Sequence, residues 1–378
     1  MATLSQKLKL FRGLFTGNIA YNAPFYVTVD VTQQCNLQCL CCPYHSPILN
    51  KSSSNIQKWQ DIPFDRFENL CDELKIMGTN LLIFSGEGEP LLYPSIANLI
   101  SIAKSKALQI MLLTNGTLLD KSNMKSLINS FVNILNVSLW ASSTKEYEMN
   151  YPGSNPNNFE KIIDNLKLLA DLKTRERRSL PQVVLYCPIN RHTFQTIGNF
   201  VDIAYTTKCN SLFFSPLYTH QDKFASYALS SDEEIRVKSL LIDIREKLES
   251  LSINHNINEI LLDYYNDDKS AVKKLPCYIA WYHARIKMDG RVYACQRCDI
   301  LMGNLLESNF EEIWNGESFR LFRKNARLKK SLLYKDKNFD FNCGFCCHVK
   351  NNKQIHQFAR WFLLFQSKQS WENICLKI

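Results

Sequence analysis

The stretch that decides the fold is "CNLQCLCC" at residues 35–42, which follows the apolar run "FYVTVDVT" at residues 25–32. Four cysteines lie within eight positions, directly after a segment whose β-branched and aromatic residues are typical of a strand. Thiols clustered in this way form disulfides, bind zinc or bind an iron–sulfur cluster. Other features of the sequence distinguish between these three possibilities.

The composition is that of a globular protein without a targeting segment. The 378 residues predict two domains, and because Lys and Arg are scattered, the net charge of +9 indicates solubility rather than nucleic-acid binding. The N-terminus lacks an uninterrupted apolar segment with a cleavage site, and no run approaches the ~18 apolar residues of a membrane span. We therefore predict a cytoplasmic protein, in which disulfides between the 14 cysteines are disfavoured.

Segments typical of strands alternate with segments typical of helices between residues 25 and 218. Six near-continuous apolar runs predict buried parallel strands, and they span residues 25–32, 80–86, 109–116, 134–141, 183–190 and 211–218. Helical periodicity occupies the intervals, at residues 65–77, 94–106, 121–131, 158–173 and 194–207. Six βα units predict an α/β fold with a parallel sheet, either doubly wound or curled into a partial barrel.

Unusual polar residues follow four of these strands. The cysteines follow the first strand, "SGEGEP" (85–90) follows the second, "TNG" (114–116) follows the third, and Ser138 lies late in the fourth. Ligands bind at the carboxyl ends of the strands in α/β folds. We therefore expect one site at this edge of the sheet.

The pattern changes after residue 218. A long amphipathic helix is predicted over residues 230–251, where Ser231 and Glu234 form a capping box. A hairpin is predicted over residues 284–295, with its turn at Asp289-Gly290. Further helices are predicted at residues 308–315, 318–328 and 354–365. The last of them is aromatic and amphipathic, and we expect it to pack on the protein rather than on a membrane.

The chemistry of the first cluster follows from its spacing. Cys35, Cys39 and Cys42 form the pattern C-x3-C-x2-C. Three thiolates in one loop hold three irons of a [4Fe–4S] cluster and leave the fourth iron open, as catalysis at a metal requires. A structural zinc needs four ligands, and Cys41 is a poor fourth because it is adjacent to Cys42. The spacing therefore favours an iron–sulfur cluster.

A C-x3-C-x2-C loop after the first strand and a Gly-Glu-Pro motif after the second resemble the radical S-adenosylmethionine (SAM) superfamily over residues 25–218. The resemblance implies a partial (β/α)6 barrel of the TIM type, a [4Fe–4S] cluster on the three cysteines, and SAM bound to the open iron. It also implies a reducing electron donor of the flavodoxin or ferredoxin type. The electron cleaves SAM into methionine and a 5′-deoxyadenosyl radical that abstracts a substrate hydrogen.

The resemblance also assigns SAM binding to particular residues. The stretch whose backbone and carboxylate receive the SAM ammonium group corresponds to Gly86, Glu87, Gly88, Glu89 and Pro90. Glycines allow the chain to approach a ligand closely, and a carboxylate suits a positive amine.

Asn115 and Ser138 fall where the family often contacts the methionine or ribose part of SAM. An ordinary turn residue and an ordinary strand-end hydroxyl are the alternative interpretations. Two positions depart from the family pattern. Glu87 replaces the middle one of three glycines, and Cys41 replaces an aromatic residue that packs on the adenine, a role for which we suggest Tyr44.

A second set of cysteines occupies the last quarter of the chain. A zinc ribbon is one interpretation. However, the 17 residues between Cys277 and Cys295, together with the later "CGFC", resemble the SPASM/twitch extension of radical SAM enzymes. This resemblance implies a small C-terminal α+β domain with one auxiliary [4Fe–4S] cluster, and the predicted ligands are Cys277, Cys295, Cys343 and Cys346. Cys298 and Cys347 are competing ligands, and the cysteines predicted to be ordinary core residues are Cys71, Cys187, Cys209 and Cys375.

These assignments predict five parts of the chain. They are an N-terminal extension (1–24), a radical SAM barrel (25–218), a helical linker (219–270), an auxiliary-cluster domain (271–350) and a C-terminal helix (351–378).

The substrate is less determined than the cofactors. We favour oxidation or rearrangement of a small molecule of the sugar or aminocyclitol type over modification of a ribosomally made peptide, because only 24 residues precede the first strand and a leader-binding domain needs more. A non-catalytic zinc- or cluster-binding protein is a third interpretation. No general base is assigned, although four side chains lie near the expected site: His45, His192, His220 and Arg191.

Overall fold

The computed structural model describes residues 4–49, 60–217, 222–265, 275–297, 300–328 and 346–366. Four residues singled out above lie outside these ranges, namely His220, Cys298, Cys343 and Cys375. The chain forms two compact units. The sheet unit comprises Tyr26–Asp267 and Arg285–Arg291, and the terminal unit comprises Met1–Phe25, Asp268–Ala284 and Val292–Ile378. The five-part division stays a prediction, and residues 1–24 group with the C-terminal region.

Helix α1 (Leu4–Thr16) opens the terminal unit. The sheet unit then alternates strands and helices, in the order β1 (Tyr26–Asp30), α2 (Phe64–Met77), β2 (Leu81–Ser85), α3 (Ile96–Ser105), β3 (Gln109–Thr114), α4 (Lys121–Asn129), β4 (Ile134–Ser138), α5 (Thr144–Asn150), α6 (Asn158–Arg175), β5 (Gln182–Ile189), α7 (Asn199–Thr206), β6 (Ser211–Pro216), α8 (Ser231–Ser250), β7 (Asn254–His255) and α9 (Ile257–Asp263). The six predicted strands are all present, each within two residues of its expected start.

The strands of the sheet unit are parallel and lie in their sequence order from β1 to β7. A doubly wound sheet reverses its strand order at a switch point, whereas sequential order is typical of a barrel wall. The α/β fold with a parallel sheet is therefore confirmed, and the strand order favours the barrel. The register, for example Asp30 opposite Ser85, brings the carboxyl ends of β1 and β2 to one edge.

The two faces of this sheet differ in burial. One face is sealed by aromatic contacts from the helices: Phe67 of α2 meets Phe84 with ring centroids 5.5 Å apart, and Phe200 of α7 meets Phe214 at 6.3 Å. On the opposite face, residues such as Ile83 are only half-buried. Because side chains alternate along a strand, every strand contributes to both faces.

The chain passes between the two units along β8 (His283–Ile286) and β9 (Arg291–Tyr293), whose connecting turn belongs to the sheet unit. The terminal unit then continues with β10 (Leu301–Asn304), α10 (Phe310–Asn315), α11 (Glu317–Leu328) and α12 (Val349–Gln366). The predicted hairpin is present, and Gly290 adopts a φ of +88° in its turn. The Trp314 indole donates to the Asn22 carbonyl at 2.9 Å, and the Asn22 side chain donates to the Trp281 carbonyl at 2.7 Å. These bonds attach the segment that follows α1 to the core of the terminal unit. None of the described helices combines the length and apolarity that crossing a membrane requires.

Two details of the expected secondary structure need correction. The predicted capping box at Ser231 and Glu234 is wrong by one residue, because Ser230 accepts from the Glu233 N–H and Glu233 accepts from the Ser230 N–H. Both serines have a glutamate three residues later, so spacing alone does not distinguish them. The helix predicted at 194–207 begins only at Asn199, because a short 3-10 turn precedes it.

The cap yields a test of local stability. We expect Ser230→Ala to lower the free energy of unfolding by ~1 kcal/mol, because the first turn of α8 loses an acceptor for its unpaired N–H groups. Ser231→Ala, one residue inside the helix, is the matched control and should have little effect. Urea unfolding of both variants measures the difference. A larger loss in the Ser231 variant would show that the cap is misassigned.

Candidate active site

The loop after β1 brings three of its four cysteine thiols together. Burial, with smaller contributions from Glu89 and Cys42, raises the pKa of the Cys35 thiol to about 11. Burial and the neighbouring Cys42 and Cys35 raise the pKa of Cys39 well above its ordinary value. Thiols that disfavour one another's ionisation in this way form a site that a cation stabilises, since a metal takes the place of the protons.

The fourth thiol of the loop points elsewhere. Cys41 is buried in an apolar cluster with Leu49, Leu217 and Phe224, and Trp140 packs against this cluster. Cys42, by contrast, accepts hydrogen bonds from the N–H groups of Tyr44 at 3.4 Å and His45 at 3.3 Å. Two N–H donors stabilise a thiolate, whereas an apolar environment disfavours one. The geometry thus separates adjacent cysteines into a potential ligand and a core residue.

This arrangement fits a [4Fe–4S] cluster better than a single metal ion. Among the described residues, no group of three His, Cys, Asp or Glu side chains is placed to hold one ion. A four-iron cluster is larger and takes one thiolate at each of its irons, so its ligands are spread more widely. The eleven described cysteines are all thiols rather than disulfides. The assignment of Cys35, Cys39 and Cys42 as cluster ligands stays a prediction that this geometry supports.

The glycine-rich segment after β2 packs directly on the backbone of the cysteine loop. Gly88 N–H donates to the Thr32 carbonyl at 3.1 Å, and Glu89 N–H donates to the Gln34 carbonyl at 2.7 Å. A Cβ atom at Gly88 would lie 2.1 Å from the Gln34 carbonyl oxygen. This position therefore excludes every residue except glycine, because the contact is with backbone that has little room to move.

Glu89, a predicted contact of the SAM ammonium group, is buried and makes several hydrogen bonds within the protein. It is 2% exposed, and its carboxylate accepts from the Thr114 hydroxyl at 2.7 Å, the Asn115 N–H at 2.7 Å and the Leu91 N–H at 3.1 Å. Burial raises its pKa, although these three donors oppose the shift. A carboxylate has about four acceptor positions, so these bonds leave about one for a ligand. Pro90 follows as the first residue of a 3-10 turn that Glu89 caps.

The predicted contacts Asn115 and Ser138 lie in different surroundings. Asn115 joins the cysteine loop, because its amide donates to Asn36 at 2.9 Å and Asn36 in turn donates to the Thr117 hydroxyl at 2.8 Å. Ser138 lies two strands from β2, at the end of β4, where its hydroxyl accepts from the Trp140 indole at 2.9 Å. The structure thus places Asn115 beside the cluster loop, while SAM contacts by either residue stay predictions.

An ionic cluster that the sequence analysis missed surrounds Glu87. We use the term Glu87 cluster for Asp30, Tyr44, Glu87, Arg285 and Lys287, all within the sheet unit. Lys287 Nζ lies 2.7 Å from Glu87 Oε1, and Arg285 lies 3.8 Å from the same oxygen. Burial opposes ionisation of Glu87, but Lys287 and Arg285 outweigh it and hold the pKa below its ordinary value.

Arg285 connects the Glu87 cluster to β1. Its guanidinium donates to the buried Asp30 carboxylate at 2.8 Å and to the Tyr44 hydroxyl at 3.1 Å. Tyr44, which we suggested as an adenine contact, therefore has its hydroxyl engaged here. The sequence did indicate an ion pair at this position, because Glu87 replaces a glycine of the family pattern and a buried carboxylate needs a cation. It did not indicate that the cation would come from residues about 200 positions later.

The described cysteines of the second set are half-buried or exposed. Cys277 donates its N–H to the Ala326 carbonyl at 3.0 Å, and Cys295 Sγ accepts from the Arg297 N–H at 3.5 Å. Cys346 is half-buried and Cys347 is exposed. The auxiliary ligand set stays a prediction. The core role of Cys71, Cys187 and Cys209 is supported, since all are buried.

Three of the four side chains considered as a base near the expected site lie within the described residues, and each makes contacts within the fold. His45 Nε2 donates to the Glu87 carbonyl at 2.8 Å. Arg191 forms an ion pair with Glu233 at 3.3 Å and donates to the Ser226 carbonyl. His192 stacks edge-on against Tyr227, and burial and Arg191 lower its pKa. None of these contacts assigns a general base.

Two families match the chain. Residues 29–201 match the radical SAM superfamily, and residues 277–347 match SPASM, an iron-sulfur cluster-binding domain. The first match contains the cysteine loop, the glycine-rich segment, Asn115 and Ser138. The second contains every cysteine of the second set.

Individual proteins agree with these matches. The AdoMet-dependent heme synthase of Methanosarcina barkeri is 25% identical over 350 residues, which is 87% of this chain and 90% of that protein. The PqqA peptide cyclase of Granulibacter bethesdensis is 22% identical over 319 residues, covering 79% and 76%. The crystal structure of Streptococcus suis SuiB bound to its precursor peptide SuiA shares the fold, with a TM-score of 0.64, 17% identity and coverage of 92% and 76%. This chain is therefore a radical SAM enzyme, a member of the radical SAM superfamily with a C-terminal SPASM domain, and it uses [4Fe–4S] and SAM.

Proposed function

We propose that Cys35, Cys39 and Cys42 hold the [4Fe–4S] cluster that cleaves SAM and that the resulting radical abstracts hydrogen from a tetrapyrrole. The observation that carries the first part is the contrast within the cysteine loop, where Cys42 Sγ accepts from two backbone N–H groups while Cys41 is buried in an apolar cluster. When bound, the cluster supplies the electron that splits SAM reductively. One auxiliary [4Fe–4S] cluster in the SPASM domain belongs to the same proposal.

The chain's own residues position the two cofactors. The backbone of residues 86–90 is held against the cysteine loop by the bonds of Gly88 and Glu89, so a ligand bound to one segment lies beside the other. Glu89 aligns the N–H of Asn115 through its carboxylate. Holding reactants in a fixed geometry lowers the entropic part of a reaction barrier, which is the contribution that such a rigid pair of loops makes.

The half-buried face of the sheet supports a substrate with a broad apolar surface. Its larger members are Ile83, Met111, Leu113, Val184, Tyr186 and Phe213. The rings of Tyr186 and Phe213 stack with centroids 5.9 Å apart, and Phe213 is 43% exposed. In the six strands β1 to β6, all within the described residues, Asp30 alone carries a charge on this face, and Arg285 pairs with it. Binding sites for apolar ligands have this composition.

The large apolar members of this face, with the exposed ring of Phe213, favour a ligand with a broad apolar surface such as a tetrapyrrole over the sugar or aminocyclitol predicted above. The same face also carries hydroxyl and amide groups, for example those of Ser85 and Asn136, which are available to polar substituents of such a ligand. The similarity to the heme synthase, which extends over most of both chains, points the same way. A peptide is the second candidate, and the peptide cyclase and the SuiB fold favour it. The flavodoxin- or ferredoxin-type electron donor stays a prediction.

The cluster ligands are tested by counting iron. We expect Cys35→Ala, Cys39→Ala and Cys42→Ala each to lower the iron content of anaerobically reconstituted protein by about four atoms per chain, because two thiolates hold a four-iron cluster poorly. Cys41→Ala is the matched control and should keep its iron, since this thiol lies in an apolar cluster. Equal iron loss in the Cys41 variant would contradict the assignment.

The substrate is tested by titrating the reconstituted enzyme with iron-coproporphyrin III and following the porphyrin absorption. We expect binding, and Tyr186→Ser should weaken it about tenfold, because loss of an aromatic contact costs roughly 1.5 kcal/mol. Tyr205→Ser, an exposed aromatic residue on α7, is the control. If porphyrin does not bind while a precursor peptide or an aminocyclitol stimulates SAM cleavage, the tetrapyrrole is wrong and the radical SAM chemistry is unaffected.

The Glu87 cluster is proposed to hold the glycine-rich segment in its SAM-binding conformation. Glu87 lies between Gly86 and Gly88, and its side chain is fixed by Lys287 and by the Gln33 amide at 3.2 Å. The side chains of Glu87 and Lys287 are 10% and 15% exposed, so their charges interact with little screening by water. Glycines on both sides would otherwise leave this segment unusually free.

Loss of one charge should therefore affect both stability and SAM binding. We expect Lys287→Met to lower the free energy of unfolding by about 2 kcal/mol, less than the 3–5 kcal/mol of fully buried pairs because Arg285 remains, and to raise the dissociation constant for SAM. Glu87→Gln combined with Lys287→Met should recover part of the loss. The control is Lys208→Met, whose exposed ion pair with Asp171 is worth under about 1 kcal/mol. Equal effects of Lys287→Met and Lys208→Met would remove this role.

A further inference from the structure

Asn352 is a buried amide whose orientation is determined by two donors. It lies near the start of α12 and is 0% exposed. Its Oδ1 accepts from the Tyr278 N–H at 2.8 Å and from the Tyr282 hydroxyl at 3.3 Å. A backbone N–H can only donate, so the oxygen of the amide must face Tyr278 and the NH2 group must point away from it.

The NH2 group that results from this orientation faces a cysteine of the second set. Asn352 Nδ2 lies 3.8 Å from Cys346 Sγ, within the range of a hydrogen bond to sulfur. The neighbouring Cys347 is exposed, whereas Cys346 is half-buried. A thiolate at Cys346 thus has a fixed N–H donor. These contacts lie wholly within the terminal unit.

We propose that Asn352 is a positioning residue for the auxiliary cluster, which selects Cys346 over Cys347 as its ligand and raises the reduction potential by donating an N–H to the Cys346 thiolate. This inference rests on the proposed auxiliary [4Fe–4S] cluster. Hydrogen bonds to the sulfurs are among the factors that set the potential of such clusters. Reduction adds negative charge to the cluster, so a donor at sulfur stabilises the reduced form more than the oxidised form.

The surroundings of the amide strengthen this effect. The neighbouring Ile279, Ala280, Trp281 and Tyr282 are at most 1% exposed, so the segment that follows Tyr278 excludes water. A hydrogen bond in such an environment is electrostatically stronger than one in water. We expect the donor to change the one-electron reduction equilibrium about tenfold, which corresponds to 59 mV.

The decisive variant is Asn352→Asp, examined by redox titration with electron paramagnetic resonance in the full chain. Aspartate has the same shape and keeps an acceptor for Tyr278 and Tyr282, but it replaces the N–H donor with a charged oxygen. We expect the potential of the auxiliary cluster to fall by at least the tenfold equivalent. Gln354→Glu, an exposed position two residues along α12, adds the same charge without this contact and should leave the potential nearly unchanged.

Ligand choice is tested separately by iron counting in a chain that also carries Cys35→Ala, Cys39→Ala and Cys42→Ala. We expect Cys346→Ser to remove the remaining iron and Cys347→Ser to retain it. The opposite result, or an unchanged potential in Asn352→Asp with the iron retained, overturns the inference while leaving the auxiliary cluster in place. The auxiliary cluster itself is overturned if the chain without Cys35, Cys39 and Cys42 holds no iron, and if Cys277→Ser in the otherwise unchanged chain alters neither the iron content nor the cluster spectra.

Discussion

The site depends on a backbone-to-backbone contact between two loops. Gly88 and Glu89 donate to the carbonyls of Thr32 and Gln34, and the contact is so close that only glycine fits at residue 88. The cysteine loop and the glycine-rich segment are separated by more than 40 residues, yet this contact makes them one surface. A wider gap would require a side chain to bridge the loops, and a side chain carries rotamer freedom that a backbone pair does not.

Much of this arrangement was predictable from local sequence. Near-continuous apolar runs are typical of parallel strands, and six such runs placed the strands and their carboxyl ends correctly, although one face of the sheet is only half-buried. The cysteine spacing and the glycines at residues 86 and 88 then indicated one site at that edge. The spacing did not show which way each thiol of the loop points. Cys41 and Cys42 are adjacent, and only the packing of Leu49, Leu217 and Phe224 shows which thiol is enclosed in the core.

The Glu87 cluster shows where sequence reasoning ends. Asp30 and Arg285 are 255 positions apart, and no local pattern relates them. The same holds for Ser230, where two serines satisfy the capping rule equally and the backbone of the folded helix selects one. The Asp30–Arg285 pair depends on the placement of distant elements and the cap on the backbone conformation at the start of α8, and propensity and periodicity encode neither.

The Glu87 cluster also bears on the apolar substrate proposed above, because it neutralises a charge on the half-buried face of the sheet. Asp30 lies on the same face as Ile83 and Ser85, at the carboxyl end of β1. An unpaired carboxylate there would attract water and cations into the space above the sheet. Arg285 supplies the opposite charge, and its guanidinium also binds the Tyr44 hydroxyl. Within the Glu87 cluster, Arg285 thus neutralises Asp30, which among the described strands β1 to β6 carries the one charge on this face, while Lys287 pairs with Glu87 in the glycine-rich segment. The stability of that segment and the proposed substrate preference therefore depend on neighbouring side chains of one cluster.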